Sequence, residues 1–115
     1  MKTKTAIVIL NWNGVAMLQR FLPLVLEHSA EAEVIVADNA STDQSVAMMR
    51  EHFPQVRLVL LDSNYGFAEG YNLALKQVEA DYYLLLNSDV EVGEGWLKPI
   101  VDFLDTHPEY CACQP

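Results

Sequence analysis

Four short apolar runs alternate along the chain with longer segments of helical spacing, and this alternation constrains the fold more than any other feature. The runs cover residues 5–10, 33–37, 56–61 and 82–86 and are rich in Val, Ile and Leu. Each run is apolar along nearly its whole length, which is typical of strands covered on both faces. The pattern predicts an α/β fold: a doubly wound, mostly parallel sheet with helices on both faces.

The segments between the runs each carry one apolar helical face. The four faces comprise Val15, Leu18, Leu22, Val25 and Leu26; Val46, Met49 and Phe53; Phe67, Tyr71, Ala74 and Val78; and Leu97, Ile100, Val101 and Leu104. We expect Pro23 to break the first helix or to start its second half. Ser41-Thr42-Asp43-Gln44 matches a capping box opening the second helix. His107-Pro108 predicts the end of the last helix.

Length and charge restrict the function. At 115 residues the chain has the size of one domain, and its 16 acidic against 7 basic residues give a net charge of −9. Because phosphate backbones are bound through Lys and Arg, we expect no nucleic-acid partner. A ligand carrying phosphate would need a cation or backbone amides beside it. No run approaches the roughly 18 apolar residues of a membrane span.

The end of the chain carries two cysteines, Cys111 and Cys113, within what we predict to be the beginning of a further strand. A single Cys-x-Cys pair gives no disulfide framework, so we expect a reducing, cytoplasmic location and core thiols rather than a metal site. An open sheet rarely stops at such a point. We therefore expect a piece of a longer protein, whose exposed sheet edge would favour a homodimer.

Polar residues follow all four predicted strands. The stretches are Asn11-Trp12-Asn13, residues 38–43, residues 62–66 and Asn87-Ser88-Asp89. Any one of them is explained as a turn, because Asn, Asp, Ser and Gly are turn formers. Four on one edge favour a binding site, since open parallel sheets bind ligands beyond the carboxyl ends of their strands.

Asn87 and Asp89 lie two residues apart, so in an extended chain their side chains project to the same side. Mg²⁺ and Mn²⁺ take oxygen ligands, commonly one or two carboxylates together with substrate phosphates. An isolated Asn-Ser-Asp is better explained as a turn or a helix cap than as a metal site. Dinucleotide and P-loop fingerprints are absent, and a phosphoacceptor domain would want acidic residues where Asn11 and Asn13 stand.

Four stretches together resemble family 2 glycosyltransferases, the inverting GT-A-fold enzymes that use nucleotide-diphosphate sugars. They are AIVILNWNG at 6–14, VIVADNASTDQS at 34–45, NYGFAEGYNLAL at 64–75 and DYYLLLNSDVEV at 81–92, in the family's order and spacing. NYGFAEGYN together with NSD is similar to the rhamnosyltransferase-like branch. The resemblance implies a UDP- or dTDP-sugar donor.

The resemblance also implies site residues. Asp38 contacts the base or ribose, and Asn11 and Asn13 line the same pocket. The donor is framed by Asn64, Gly66 and Asn72, and the family's Asp-x-Asp motif is represented by Asn87, Ser88 and Asp89. Asp89 is the implied ligand of Mg²⁺ or Mn²⁺.

Two departures from the family pattern stand out. Asn87 replaces the motif's first aspartate, and Tyr71 occupies a position where many relatives carry an arginine. Asn87 removes one negative charge from the implied metal site. Tyr71 removes a cation that could bind the donor.

On this resemblance residues 1–115 form the N-terminal, nucleotide-sugar-binding portion of a glycosyltransferase domain. The implied general base and acceptor surface lie beyond Pro115, so we expect this portion alone to be inactive. The implied acceptor is a glycan or a lipid-linked acceptor, and the implied location of the enzyme is the cytoplasm, at the inner face of the membrane. Two alternatives stay open: a noncatalytic nucleotide-sugar-binding or assembly module, and a sugar nucleotidyltransferase. The latter is disfavoured because residues 11–14 lack a basic loop.

Overall fold

The computed structural model describes residues 3–108 and shows the predicted alternation of strands and helices. Its elements are β1 Thr3–Asn11, α1 Val15–His28, β2 Glu33–Asp38, α2 Ser45–His52, β3 Arg57–Leu60, α3 Gly66–Leu75, β4 Ala80–Asn87 and α4 Lys98–Thr106. α4 ends where His107-Pro108 predicted. The strand predicted around Cys111 and Cys113 lies outside the described residues.

The four strands form one parallel sheet in the order β3-β2-β1-β4. In this register Asn11 is paired with Asp38, and Leu10 is paired with Asn87. The carboxyl ends of β1, β2 and β4 therefore meet at one edge of the sheet. The doubly wound, mostly parallel α/β fold is confirmed, and its polar strand exits converge as the sequence predicts.

Helices cover both faces of the sheet. On one face, α1 and α2 pack against β1 in a cluster that contains Leu18, Leu22, Met49, Ile7 and Ile9. The chain preceding α4 adds to the same cluster. The other face is covered by α3 through Tyr71, Ala74 and neighbouring residues. β1 is buried on both faces, because burying each large aliphatic side chain contributes about 1.5–3 kcal/mol.

The prediction that every strand is covered on both faces is wrong for β4. Within residues 3–108, β4 is an edge strand, and Tyr83 and Leu85 are 43% and 52% exposed. Their register with Ala6 and Val8 places them on the face that α3 covers. α3 packs over β1, which leaves this part of β4 open.

Three helix predictions are also wrong. α1 continues through Pro23, because residues on both sides of the proline are buried and tertiary packing maintains the helix. α2 begins at Ser45 without a capping box, since Ser41 and Thr42 are used elsewhere. Phe67, assigned to the inner face of the third helix, is 62% exposed. In the described part of the chain, no helix combines the length and apolarity needed to cross a membrane.

Candidate functional site

A cavity of about 470 Å³ opens at the carboxyl edge of the sheet, between the ends of β1 and β4 and the start of α3. Of the predicted donor-binding residues, five line it: Asn64, Gly66, Asn87, Ser88 and Asp89. Sequence reasoning missed the other lining residues, which are Leu10, Trp12, Gly14, Met17, Asn39 and Phe67. Four distant segments of the sequence therefore meet around one space: residues 10–17, Asn39, residues 64–67 and residues 87–89.

Asp38 lies beneath this edge and does not line the cavity. Its Oδ1 accepts hydrogen bonds from Asn11 Nδ2 at 3.1 Å and from Ser41 Oγ at 2.7 Å. Its Oδ2 accepts the backbone N–H of Ser41 at 2.9 Å. Asp38 and Asn11 are both buried, so this arrangement satisfies the carboxylate and fixes the exits of β1 and β2 side by side.

Asn13 joins the turn after β1 to the turn after β2. It adopts a left-handed backbone, with φ of 51°, which Asn tolerates better than most residues. Its Oδ1 accepts the N–H groups of Thr42 at 2.7 Å and Asp43 at 3.1 Å, and its own N–H donates to Ser41 Oγ at 2.9 Å. Asn13 thus shapes the edge without lining the cavity, and Asn72, exposed on α3, also lies outside the lining.

Asp43 serves the starts of two helices. Its Oδ2 accepts the N–H of Val15 in α1 at 3.2 Å, and its Oδ1 accepts the N–H of Ser45 in α2 at 2.9 Å. Partial burial alone would raise the pKa of this carboxyl. Hydrogen bonds from Ser45 and Val15 outweigh that effect and hold the pKa below its ordinary 3.8. The negative charge also lies at the positive ends of both helix dipoles.

Asn39, which sequence reasoning passed over, fixes the turn before α3. Its Nδ2 donates to Asn64 Oδ1 at 3.1 Å and to the carbonyl of Gly66 at 3.0 Å, while its Oδ1 accepts the N–H of Tyr65 at 3.0 Å. Gly66 has φ of 77°, a conformation that favours glycine. One buried amide therefore sets the position of the cavity wall formed by residues 64–66.

The opposite wall is the turn after β4, where Asn87 and Asp89 are exposed and Ser88 is half-buried. Gly14 faces this turn. A Cβ on Gly14 would lie 2.5 Å from Asn11 Oδ1 and 3.1 Å from Ser88 Oγ. The close approach of the β1 and β4 exits therefore requires glycine here. Asn11 Oδ1 is buried and has no hydrogen-bond partner within residues 3–108.

Large apolar side chains surround the cavity. Trp12 is 53% exposed, and Met17 and Phe67 are exposed as well. Exposed aromatic side chains beside convergent polar groups are typical of small-molecule sites. Within residues 3–108 the lining contains no Lys or Arg and one carboxylate, Asp89. An anionic ligand there would need a cation or backbone amides to offset its charge.

The donor set suits a metal shared with a ligand better than an all-protein metal site. No group of three His, Cys, Asp or Glu within residues 3–108 could hold an ion. Asp89 provides one exposed carboxylate, and Asn87 and Ser88 provide neutral oxygens beside it. These hard oxygen donors fit Mg²⁺ or Mn²⁺, which complete their coordination with phosphate and water.

A second cavity, of about 300 Å³, lies between α2 and the edge strand β3. Its lining includes the side chains of Met49, Arg50, Phe53 and Leu60. It includes none of the predicted site residues. The convergence of polar groups at the strand exits is thus specific to the larger cavity.

The mostly parallel α/β sheet agrees with the GT-A fold of structurally similar glycosyltransferases. The sequence profile of Glycosyl transferase family 2 matches residues 6–115, so the chain belongs to this family. Among its relatives, the poly(ribitol-phosphate) beta-N-acetylglucosaminyltransferase TarS of Staphylococcus aureus is 34% identical over 80 residues, covering 67% of this chain and 14% of TarS. The N-acetylglucosaminyl-diphospho-decaprenol L-rhamnosyltransferase of Mycobacterium tuberculosis is 28% identical over 110 residues, covering 85% and 36%.

Solved structures agree with the fold. TarS residues 1–349 in complex with UDP-GlcNAc match with a TM-score of 0.77 at 27% identity, covering 92% of this chain and 32% of that one. A mannosyltransferase of Pyrobaculum calidifontis, in complex with GDP-Man and Mn²⁺, matches with a TM-score of 0.76 at 22% identity, covering 90% and 33%. The chain thus spans about a third or less of both solved chains.

Proposed function

We propose that this chain forms the donor-binding part of an inverting glycosyltransferase, which transfers a sugar from a nucleotide-diphosphate sugar to a glycan or a lipid-linked acceptor. The observation that carries the proposal is the cavity at the strand exits, where the turns at residues 64–66 and 87–89 face each other. Membership of family 2 and the UDP-GlcNAc complex of the similar TarS support it.

In this proposal the nine predicted residues act at two levels. The residues that face the donor are Asn64, Gly66, Asn87, Ser88 and Asp89. The strand exits are held in place by Asn11, Asn13 and Asp38. Contact between Asn72 and the donor stays a prediction. Trp12 offers an exposed aromatic face for a nucleoside base, such as that of a UDP- or dTDP-sugar.

Asp89 is the residue we propose for Mg²⁺ or Mn²⁺, with Asn87 and Ser88 beside it. When bound, the cation offsets the charge of the donor diphosphate and of the departing nucleoside diphosphate. The need for such charge compensation follows from a cavity lining without Lys or Arg in residues 3–108, in a chain of net charge −9.

Inverting transfer exchanges one bond of the anomeric carbon for another and moves one proton. The acceptor hydroxyl attacks the anomeric carbon, a carboxylate takes the hydroxyl proton, and the bond from the anomeric carbon to the diphosphate oxygen breaks. Because Asp89 is assigned to the metal and no other carboxylate lines the cavity within residues 3–108, we propose that the base lies outside these described residues. We propose a cytoplasmic location at the inner face of the membrane.

The test compares Asp89→Asn with Glu79→Gln, which removes a carboxylate just before the opposite end of β4. Calorimetric titration with UDP-GlcNAc and with a dTDP-sugar, each with and without Mn²⁺, measures the affinity for the donor and the contribution of the metal to it. Asp89→Asn should lose at least tenfold in affinity with Mn²⁺ and little without it, because it removes the carboxylate and preserves the shape. Binding by Asp89→Asn equal to that of Glu79→Gln with Mn²⁺ would refute the metal assignment.

The absence of a base from the described cavity lining also fits a noncatalytic nucleotide-sugar-binding module. Both proposals predict the same binding. They differ in turnover, so release of the nucleoside diphosphate from a bound donor, measured with glycan and lipid-linked acceptors, separates them. Acceptor-dependent release supports the transferase, and binding without release supports the module.

A further inference from the structure

Tyr71 connects α3 to the end of β4. Its side chain is 4% exposed, and its hydroxyl donates a hydrogen bond to the backbone carbonyl of Leu86 at 2.9 Å. The same hydroxyl lies 3.5 Å from Asn87 Oδ1. Burial raises the pKa of Tyr71, so the phenol stays protonated and remains a hydrogen-bond donor. Tyr71 therefore contacts the chain directly before Ser88 and Asp89.

The end of β4 is paired on one side only in the described structure. β4 is an edge strand and pairs with β1 alone within residues 3–108. The turn that follows contains a long backbone hydrogen bond, 3.4 Å from Val90 N to Asn87 O. The Tyr71 hydroxyl thus adds a hydrogen bond from the neighbouring layer at the point where the strand becomes the cavity wall.

Tyr71 is also coupled to the opposite wall. Phe67, which lines the cavity, packs edge-on against the Tyr71 ring with centroids 5.1 Å apart and planes at 70°. Through its ring, Tyr71 contacts the start of α3, and through its hydroxyl it contacts the end of β4. The two walls of the cavity therefore share this side chain.

We infer that Tyr71 is a positioning residue that holds Asn87, Ser88 and Asp89 against the diphosphate end of the donor. This role rests on the proposed function. Tyr71 acts through the carbonyl of Leu86 and does not line the cavity. Removal of its hydroxyl should therefore affect the diphosphate and metal end of the ligand and spare the nucleoside end.

Tyr71→Phe removes the hydroxyl and keeps the ring. Tyr83→Phe is the matched control, because Tyr83 lies on β4 and its hydroxyl donates to the carbonyl of Val78 at 2.7 Å, near the opposite end of the strand. Each variant loses a hydrogen bond from the hydroxyl to a backbone carbonyl, and Tyr83→Phe also loses the one that its hydroxyl accepts from the N–H of Ala80 at 3.3 Å, so each should lower the melting temperature. The probes are UDP and dTDP with and without Mn²⁺, and the nucleosides uridine and thymidine, used with the intact protein.

We expect Tyr71→Phe to weaken Mn²⁺-dependent binding of the diphosphate about tenfold, the factor that corresponds to one buried hydrogen bond. Nucleoside binding should stay within about twofold, and Tyr83→Phe should match the wild type in both. Suppose that the wild type binds UDP or dTDP. If Tyr71→Phe then loses diphosphate and nucleoside affinity equally, or loses no affinity, the role of Tyr71 alone is overturned. A wild-type protein that binds neither refutes the proposed function, and with it this role.

Hydrogen–deuterium exchange without ligand gives an independent measurement. Tyr71→Phe should accelerate exchange in residues 87–90, because the end of β4 loses a support. Tyr83→Phe should leave this segment at the wild-type rate. Unchanged exchange in Tyr71→Phe would overturn the positioning of the turn, whatever the binding result.

Discussion

Replacing Gly14 by alanine tests whether the close approach of the β1 and β4 exits forms the site. The added Cβ would lie 2.5 Å from Asn11 Oδ1 and 3.1 Å from Ser88 Oγ. Asn11 is fully buried, and its Nδ2 donates to Asp38 at 3.1 Å and to Ser41 Oγ at 3.3 Å. The side chain of Asn11 therefore has no free direction in which to retreat.

The cost follows from these contacts. Overpacking a closely packed site costs about 1–3 kcal/mol, and loss of one Asn11 hydrogen bond costs about 1 kcal/mol more if the side chain rotates away. Gly14 is the N-cap of α1. Alanine is a poorer N-cap than glycine but restricts the unfolded chain, and these opposing effects are each about 1 kcal/mol or less. We expect Gly14→Ala to lower the free energy of unfolding by about 2 kcal/mol, which corresponds to a melting temperature lower by roughly 8 °C in a domain of this size.

Urea denaturation of Gly14→Ala and Gly93→Ala measures the difference. Gly93 is the control because a Cβ there meets nothing within 4 Å. Donor titration should also show weaker binding for Gly14→Ala at a temperature where it is fully folded, since Ser88 lines the cavity. If both variants unfold at the same urea concentration and bind the donor equally, Gly14 does not lie in close contact with Asn11 and Ser88.

Two further predictions concern Asp43 and Trp12. Asp43→Asn should destabilise the protein at pH 7 by about 1 kcal/mol, because it removes the charge that caps two helices. Since the pKa of Asp43 is lowered by folding, this stabilisation is present above 3.8 and is lost as the pH falls through the lower folded value, so urea midpoints of wild type and variant should converge in acid. A pH-independent gap would contradict this account. Trp12→Ala should weaken nucleotide binding about tenfold, and Trp12→Phe should abolish the fluorescence change on binding but retain most affinity. Persistence of that change would assign it to Trp96, whose indole N–H donates to Ser29 Oγ.

The layered fold was predictable because its determinants are local. Apolar runs and helical faces are properties of a few consecutive residues, and parallel pairing then brings the polar residues after β1, β2 and β4 to one edge. β4 shows where this reasoning ends. Residues 82–86 are as apolar as a buried strand, yet whether a helix covers Tyr83 and Leu85 depends on packing elsewhere in the chain.

Which site residues line the cavity and which support it from below was not predictable, because this depends on contacts between residues far apart in sequence. Asn39 binds the turn at Asn64, 25 residues away, and Asn11 pairs with Asp38, 27 residues away. In ADNASTD the adjacent Asp38 and Asn39 both suit ligand contact. The structure separates them, since Asp38 is enclosed by hydrogen bonds beneath the edge and Asn39 lines the cavity.

Calorimetric titration of the folded protein with UDP-, dTDP- and GDP-sugars, each with and without Mn²⁺, tests the central claim most directly. The account predicts that one nucleotide class binds, that Mn²⁺ strengthens its binding, and that Asp89→Asn removes this gain. Binding that ignores Mn²⁺ would contradict the role given to Asp89. A folded protein that binds none of the three classes would contradict the donor site itself.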